Sequence, residues 1–192
     1  MRITGGKVRG RKILSPSGRA PNGLSIRPTS ARAREALFNI IKSRSPEATV
    51  LDLYAGTGAF GLEALSRGAR FAVFVDTEER AIRLIKKNID LCGLSSSSLV
   101  IRRDLTKGLF FLRRYMPPEG FDLAFIDPPY KKKMGPATLT ELEELDLICS
   151  KGMVIVEACS NDQMPKLVSR LQLFDKRRYG EAGFWFYLRQ EA

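Results

Sequence analysis

The tetrapeptide Asp127-Pro128-Pro129-Tyr130 follows a strand-like run, Phe121-Asp122-Leu123-Ala124-Phe125-Ile126. Two successive prolines fix φ and stiffen the turn, so the Asp127 carboxylate and the Pro128 carbonyl oxygen form an acceptor pair held in place before a ligand arrives. An exocyclic amino group on a nucleic-acid base needs such a pair. Its lone pair is delocalised into the ring, and acceptors aimed at both N–H bonds make the nitrogen a better nucleophile. The carboxylate also opposes positive charge developing on that nitrogen, so no strong general base is required. Tyr130 offers a face for stacking the base. The expected catalytic residues are therefore Asp127, Pro128, Pro129 and Tyr130.

Histidine is absent from the 192 residues, which excludes Ser-His-Asp triads, HExxH zinc sites and imidazole acid-base chemistry. Cys92, Cys149 and Cys159 are odd in number and lack CxxC spacing, so they read as free thiols and no metal is expected.

A second constellation lies upstream. Asp52-Leu53-Tyr54-Ala55-Gly56-Thr57-Gly58-Ala59-Phe60-Gly61 carries G-x-G-x-x-G where a strand turns into a helix, a geometry in which backbone can approach a ligand closely. Asp76 ends the next strand, where a carboxylate can accept hydrogen bonds from ribose hydroxyls. Both features suit NAD as well as S-adenosylmethionine. Asp52 favours the sulfonium cofactor, because a carboxylate before the loop serves pyrophosphate badly and an amino group well. Asp104 can accept from an adenine amino group while Leu105 flanks the ring. The expected cofactor contacts are Asp52, Tyr54, Ala55, Gly56, Gly58, Gly61, Asp76, Thr77, Asp104, Leu105 and Asp127.

These residues need a scaffold, and the chain alternates strand and helix patterns from Thr49 onward. Strand-like runs at Thr49 to Tyr54, Phe71 to Val75, Leu99 to Arg102, Phe121 to Ile126 and Met153 to Val156 are separated by helix candidates. Those candidates are Phe60 to Ser66, Glu78 to Cys92, Leu105 to Tyr115, Ala137 to Ile148 and Asp162 to Leu171. The alternation predicts an α/β fold with a mostly parallel sheet covered on both faces. Leu173 to Tyr179 and Phe184 to Arg189 are strands joined directly through Gly180 to Gly183, so one runs antiparallel to its neighbour.

Ahead of this domain (45–192), residues 1–44 form a basic extension. Of a net charge of +11, this segment supplies +10, with 11 Lys or Arg against Glu35 alone. It reads as a small β-hairpin (Arg2 to Thr4 and Lys12 to Leu14), a loop, and a helix capped by Thr29 or Ser30 with Ala33, Leu37, Ile40 and Ile41 as its apolar stripe. Such an arm suits a polyanion. Arg2, Lys7, Arg9, Arg11, Lys12, Arg27, Arg32, Arg34, Lys131 and Lys132 are the expected RNA contacts. No apolar run reaches membrane-spanning length and the first residues lack a signal-peptide core, so a cytoplasmic protein is expected, with no membrane partner.

The opening Arg2-Ile3-Thr4-Gly5-Gly6-Lys7-Val8-Arg9-Gly10-Arg11-Lys12, Arg27-Pro28-Thr29-Ser30, Arg34-Glu35-Ala36-Leu37-Phe38-Asn39, the glycine loop with Gly61-Leu62-Glu63-Ala64, Asp127-Pro128-Pro129-Tyr130 and Arg178-Tyr179-Gly180 together resemble bacterial RsmD-type methyltransferases of small-subunit ribosomal RNA. The resemblance implies a class I, Rossmann-like methyltransferase fold with a seven-stranded sheet, one strand antiparallel. It further implies S-adenosylmethionine as donor, and methylation of one guanine N2 in 16S rRNA within the small ribosomal subunit or its precursor by a monomer. Gly180-Glu181-Ala182-Gly183 departs from the Gly-Asp-Thr pattern at that turn. An adenine-N6 DNA methyltransferase shares the catalytic turn, a dehydrogenase shares the glycine loop, and a non-catalytic RNA-binding assembly factor shares the basic arm.

Overall fold

The computed structural model describes residues 1–15, 31–129 and 134–191. Its strands are β1 (Thr49–Leu53), β2 (Phe71–Asp76), β3 (Ser98–Arg102), β4 (Phe121–Ile126), β5 (Ile148–Cys159), β6 (Leu167–Val168), β7 (Leu171–Tyr179) and β8 (Ala182–Arg189). Its α-helices are α1 (Ala31–Ile40), α2 (Ala59–Ser66), α3 (Glu79–Cys92) and α4 (Met134–Glu144). The strands form one sheet in the order β3-β2-β1-β4-β5-β8-β7-β6. Neighbours from β3 across to β5 are parallel. β8 is antiparallel to both β5 and β7. The expected seven strands are present, and the two-residue β6, antiparallel to β7, adds an eighth.

Burial explains the parallel centre. All five residues of β1 are buried, as are the last five of β2, because layers cover both faces. On one face Ile3, Ile13, Leu37, Phe38, Leu62, Ile85, Ile89 and Phe125 share an apolar cluster. On the other, Leu105, Leu109, Leu112, Leu139 and Leu142 pack under Leu51, Val73 and Trp185. Residues of the basic extension therefore belong to the same core as the sheet that follows them. The chain leaves β1 for β2 and β3, then returns to β4 on the other side of β1. This reversal opens a crevice at the carboxyl ends of β1 and β4.

Two expected helices are absent. Leu105 to Tyr115 forms two 3-10 turns, Leu105–Lys107 and Phe110–Arg114. Gly108, at φ +95°, breaks a right-handed helix between them, and the Leu109 N–H donates to the Glu141 carboxylate instead of a carbonyl one turn back. Asp162 to Leu171 contains β6 and irregular chain. Pro165 removes a donor there, and its carbonyl accepts from the Tyr187 hydroxyl at 2.7 Å. α4 runs three residues earlier than expected at its start and ends at Glu144, before β5 begins. The expected hairpin is a single bridge, Arg2 to Lys12, closed by Ile3 N–H to Arg11 O at 3.1 Å. The Thr29 and Ser30 cap lies outside the described residues.

Arg34 corrects the sequence reading most sharply. It is fully buried, whereas Ile40, assigned to the apolar stripe, is 38% exposed. Its guanidinium donates to Glu63 at 3.3 Å, to the Met1 sulfur and to the Arg2 carbonyl. Its guanidinium therefore presents no surface to a phosphate, against the exposure expected of an RNA contact. Glu63, equally buried, also accepts from Thr4 N–H (2.8 Å), Thr4 Oγ1 (2.7 Å), Gly5 N–H (2.8 Å) and Arg67 Nε (2.9 Å). One carboxylate thus pins the first residues and α1 to α2. Gly6, at φ +78°, lets the opening turn touch α2, since a Cβ there would meet the Ser66 carbonyl at 1.8 Å.

Removing one partner of a buried ion pair leaves an uncompensated charge and costs about 3–5 kcal/mol. Glu63→Ala is expected to destabilise the protein by about that amount in urea unfolding and to release residues 1–14 to limited proteolysis. A loss within about 0.5 kcal/mol would remove Glu63 from this role.

Candidate active site at the carboxyl end of the sheet

The glycine loop joins β1 to α2. Tyr54 opens it at φ +59°, a left-handed conformation that costs a non-glycine residue about 1 kcal/mol or more. The three motif glycines do different things. A Cβ on Gly56 would have only the Tyr54 carbonyl near it, at 3.8 Å, so this position, at φ +55°, faces open space where a ligand can lie against backbone. A Cβ on Gly61 would meet the Phe74 ring at 2.3 Å, so Gly61 lets α2 lie on β2. Gly58, at φ +75°, caps α2 beside Ile85 and Phe74.

Carboxylates ring the crevice. Asp76 is buried and accepts from Gly56 N–H at 2.8 Å and Glu78 N–H at 2.9 Å, which braces the loop and leaves each oxygen a second lone pair for ribose hydroxyls. Asp52 is 1% exposed and accepts from Gly61 N–H at 2.9 Å in the first turn of α2. Burial pushes its carboxyl up to about 8, with the Gly61 N–H pulling the other way and Asp76 adding repulsion. Asp127 ends β4, its N–H bonded to Leu53 O across the crevice at 3.4 Å. Burial, then repulsion from Glu157 and Asp52, holds its carboxyl well above the usual carboxylate range. Asp104 accepts from Thr106 N–H and Thr106 Oγ1 at 3.0 and 2.6 Å, and Leu105 beside it is buried.

The structure thus gathers Asp52, Ala55, Gly56, Asp76 and Asp127 around one mouth, with Thr77, Asp104 and Leu105 beyond β2 and β3. Tyr54 is a partial exception. Its hydroxyl is 3.0 Å from Thr138 Oγ1 on α4, so its ring belongs to the helix side and only its backbone shapes the loop. Tyr130, Lys131, Lys132 and Arg27 lie outside the described residues. Arg2, Lys7, Arg9, Arg11, Lys12 and Arg32 are all exposed.

Two further residues escaped the sequence reading. Glu157, 3% exposed near the end of β5, lines a cleft of about 380 Å³ with Pro128, Pro129, Met134, Ala158 and Met164. It is an acid near the carboxyl end of an apolar strand, as Asp52 and Asp76 are and as Asp127 is directly after β4, and that repetition is the signal that could have found it. Asn88, fully buried on α3, accepts from Leu14 N–H at 2.7 Å and donates to Leu14 O (3.1 Å) and Thr57 O (2.9 Å). It ties the basic segment to the glycine loop.

An acid near 8 in the folded chain keeps a proton that an unfolded aspartate releases near 4. Between those values the folded state binds more protons, so the stability of the ligand-free protein is expected to fall as pH rises from about 4 to 8. A cation docked against Asp52 favours its ionised form, so cofactor binding near pH 7 is expected to release protons. Thermal unfolding across that range, and calorimetry in buffers of different protonation enthalpy, read both effects. Asp52→Asn should flatten the first and diminish the second; wild-type behaviour in that variant would contradict the assignment.

Comparisons with known proteins show the family and the fold. A family model described as "Conserved hypothetical protein 95" matches residues 1–188. YlbH of Bacillus subtilis is 33% identical over 97% of this chain and 98% of its own. "Ribosomal RNA small subunit methyltransferase D" of Escherichia coli K12 is 28% identical over 99% of this chain and 90% of its own. The solved structure of yhhF from Escherichia coli, 28% identical, superposes with a TM-score of 0.82 over 99% of this chain and 98% of that one. With the glycine cradle and its ring of carboxylates in place, the chain belongs to the RsmD-type family of S-adenosylmethionine-dependent ribosomal RNA methyltransferases.

Proposed function

We propose that this protein transfers a methyl group from S-adenosylmethionine to the exocyclic N2 of a guanine in 16S rRNA, with the small ribosomal subunit or its precursor as substrate. The observation that carries this reading is the cleft that Pro128, Pro129 and Glu157 line directly beside Asp127, whose carboxyl feels the charge of Glu157. The cofactor supplies an electrophilic methyl on a sulfonium sulfur, and Asp52 and Asp76 suit its amino and ribose groups. At the acceptor side, the Asp127 carboxylate and Pro128 carbonyl take the two N2–H bonds and direct the nitrogen lone pair toward the methyl carbon. Methyl transfer would leave the sulfur neutral as a thioether and the nitrogen with one proton in excess, which the Asp127 carboxylate, already accepting from that N–H, would take and pass to water.

Guanine presents N1–H and N2–H side by side, two donors that adjoining carboxylates can accept. Adenine presents one donor beside a bare N1 acceptor, which a carboxylate repels. With a cationic cofactor favouring the ionised form of these acids, Glu157 beside Asp127 supports guanine N2 over adenine N6. The relative named for the small subunit supports an rRNA substrate over duplex DNA. The exposed cations of the first 12 residues suit RNA phosphates. Lys131 and Lys132, directly after the catalytic turn, and Arg27 are proposed as further phosphate contacts, and Tyr130 as the stacking surface.

Removing one preorganised polar group from the reacting centre costs about 100- to 1000-fold in kcat. Asp127→Ala is expected to lose that much transfer of labelled methyl into small subunits while calorimetry still detects cofactor binding. Full turnover in the variant would reject the role of Asp127. Wild-type label appearing in duplex DNA and not in subunits, or in adenine and not guanine, would reject the substrate.

A further inference from the structure

Beyond β3, on the face of the sheet opposite the N-terminal extension, the two 3-10 turns expose a surface unlike the rest of that layer. Phe110 is 69% exposed, the largest value among the large apolar side chains described. Arg113 lies over its ring at 5.9 Å, and Arg103 lies over Phe111 at 5.7 Å. Phe110, Phe111 and Arg103 line an open hollow of about 590 Å³ with Arg102, Lys107, Thr77 and Asp104, and Arg113 stands beside it over the Phe110 ring. Residues 102–114 carry five basic side chains against Asp104 alone. Of the nearby acids, Glu79 pairs with Arg83 and Arg102, and Glu141 is held by the Leu109 N–H.

An exposed aromatic ring flanked by guanidinium groups has little structural use. Burying Phe110 would stabilise the fold, and the apolar positions beside it, Leu109 and Leu112, are already buried. The combination is what a single-stranded nucleic acid requires, a π-face for a base and cations for the phosphates on either side. An acidic protein would satisfy the cations and leave the ring unused.

We propose that this hollow binds an unpaired nucleotide of the substrate RNA, its base stacked on Phe110 and its phosphates against Arg103, Lys107 and Arg113. The proposal rests on the RNA-methyltransferase reading and extends it. The RNA is then held on both sides of the sheet, by Arg2, Lys7, Arg9, Arg11 and Lys12 on one face and by this hollow on the other, with the reactive mouth between.

The test uses the full chain. Binding of a short fluorescein-labelled single-stranded RNA is followed without cofactor, so the result does not depend on methyl transfer. A stacked base contributes about 1–3 kcal/mol, so Phe110→Ala is expected to weaken RNA binding roughly 5- to 150-fold while Phe110→Trp retains it. Removing Arg103 and Lys107 together should reduce the slope of log K against log salt by about 1.4, from roughly 0.7 per phosphate contact. In methyl transfer to small subunits, Phe110→Ala should raise KM with kcat and cofactor affinity preserved. Unchanged RNA affinity and KM in Phe110→Ala would overturn the proposal, as would a loss confined to cofactor affinity, which would make the hollow part of the cofactor site. Failure of the wild type to methylate rRNA, with RNA binding still dependent on Phe110, would instead overturn the methyltransferase reading and leave the RNA site standing.

Discussion

Several carboxylates meet where water is scarce, and that repulsion organises the protein. Asp52, Asp127 and Glu157 are contributed by three neighbouring parallel strands, so the sheet itself forces them together. Buried like charges cannot all ionise without a partner. In the ligand-free site burial and repulsion hold the Asp52 and Asp127 carboxyls above the usual range, so both keep protons to higher pH than free aspartates. In the proposed function a methionine amino group and a sulfonium would bring positive charge beside Asp52 and Asp127. The crevice is therefore a high-energy arrangement that a cation relieves, and the glycine at 56 gives that cation room to approach.

Holding such an arrangement requires a rigid surround. The loop that carries Gly56 is braced by Asp76 from β2, by Asp52 through the first turn of α2, and by Asn88 from α3. Asn88 also clasps Leu14, and Glu63 clasps Thr4, Gly5 and Arg34. The basic segment is consequently part of the scaffold of the loop and not a tail appended to it. A force applied to residues 2–12 by bound RNA acts on the same helices that position the cofactor.

Much of this was legible in the residues, and the gaps have physical causes. Strand and helix alternation survived because parallel strands buried on both faces are apolar along their whole length, and the motifs at Gly56 and Asp127 are local in sequence. The helices expected at Leu105 and Asp162 failed on single residues, Gly108 and Pro165, whose neighbours find better partners elsewhere. Arg34 was misread because charge normally means exposure, yet it shares a stripe with Phe38 and Ile41 at helical spacing, and its partner lies 29 residues away. Glu63, Asn88 and Glu157 act across even greater or comparable separations, so no window on the chain contains both ends of their interactions.

The distribution of charge completes the argument. The cations stand outside, on the first 12 residues and along 102–114, while the mouth between them is acidic. Phosphates are drawn to the rims and repelled from the centre. A nucleotide bridging those rims therefore keeps its backbone at the surface and can send inward only its neutral base. In the proposed function, selection of a base amino group over a phosphate or ribose oxygen would begin before any hydrogen bond is made, as a consequence of where the two signs of charge have been put.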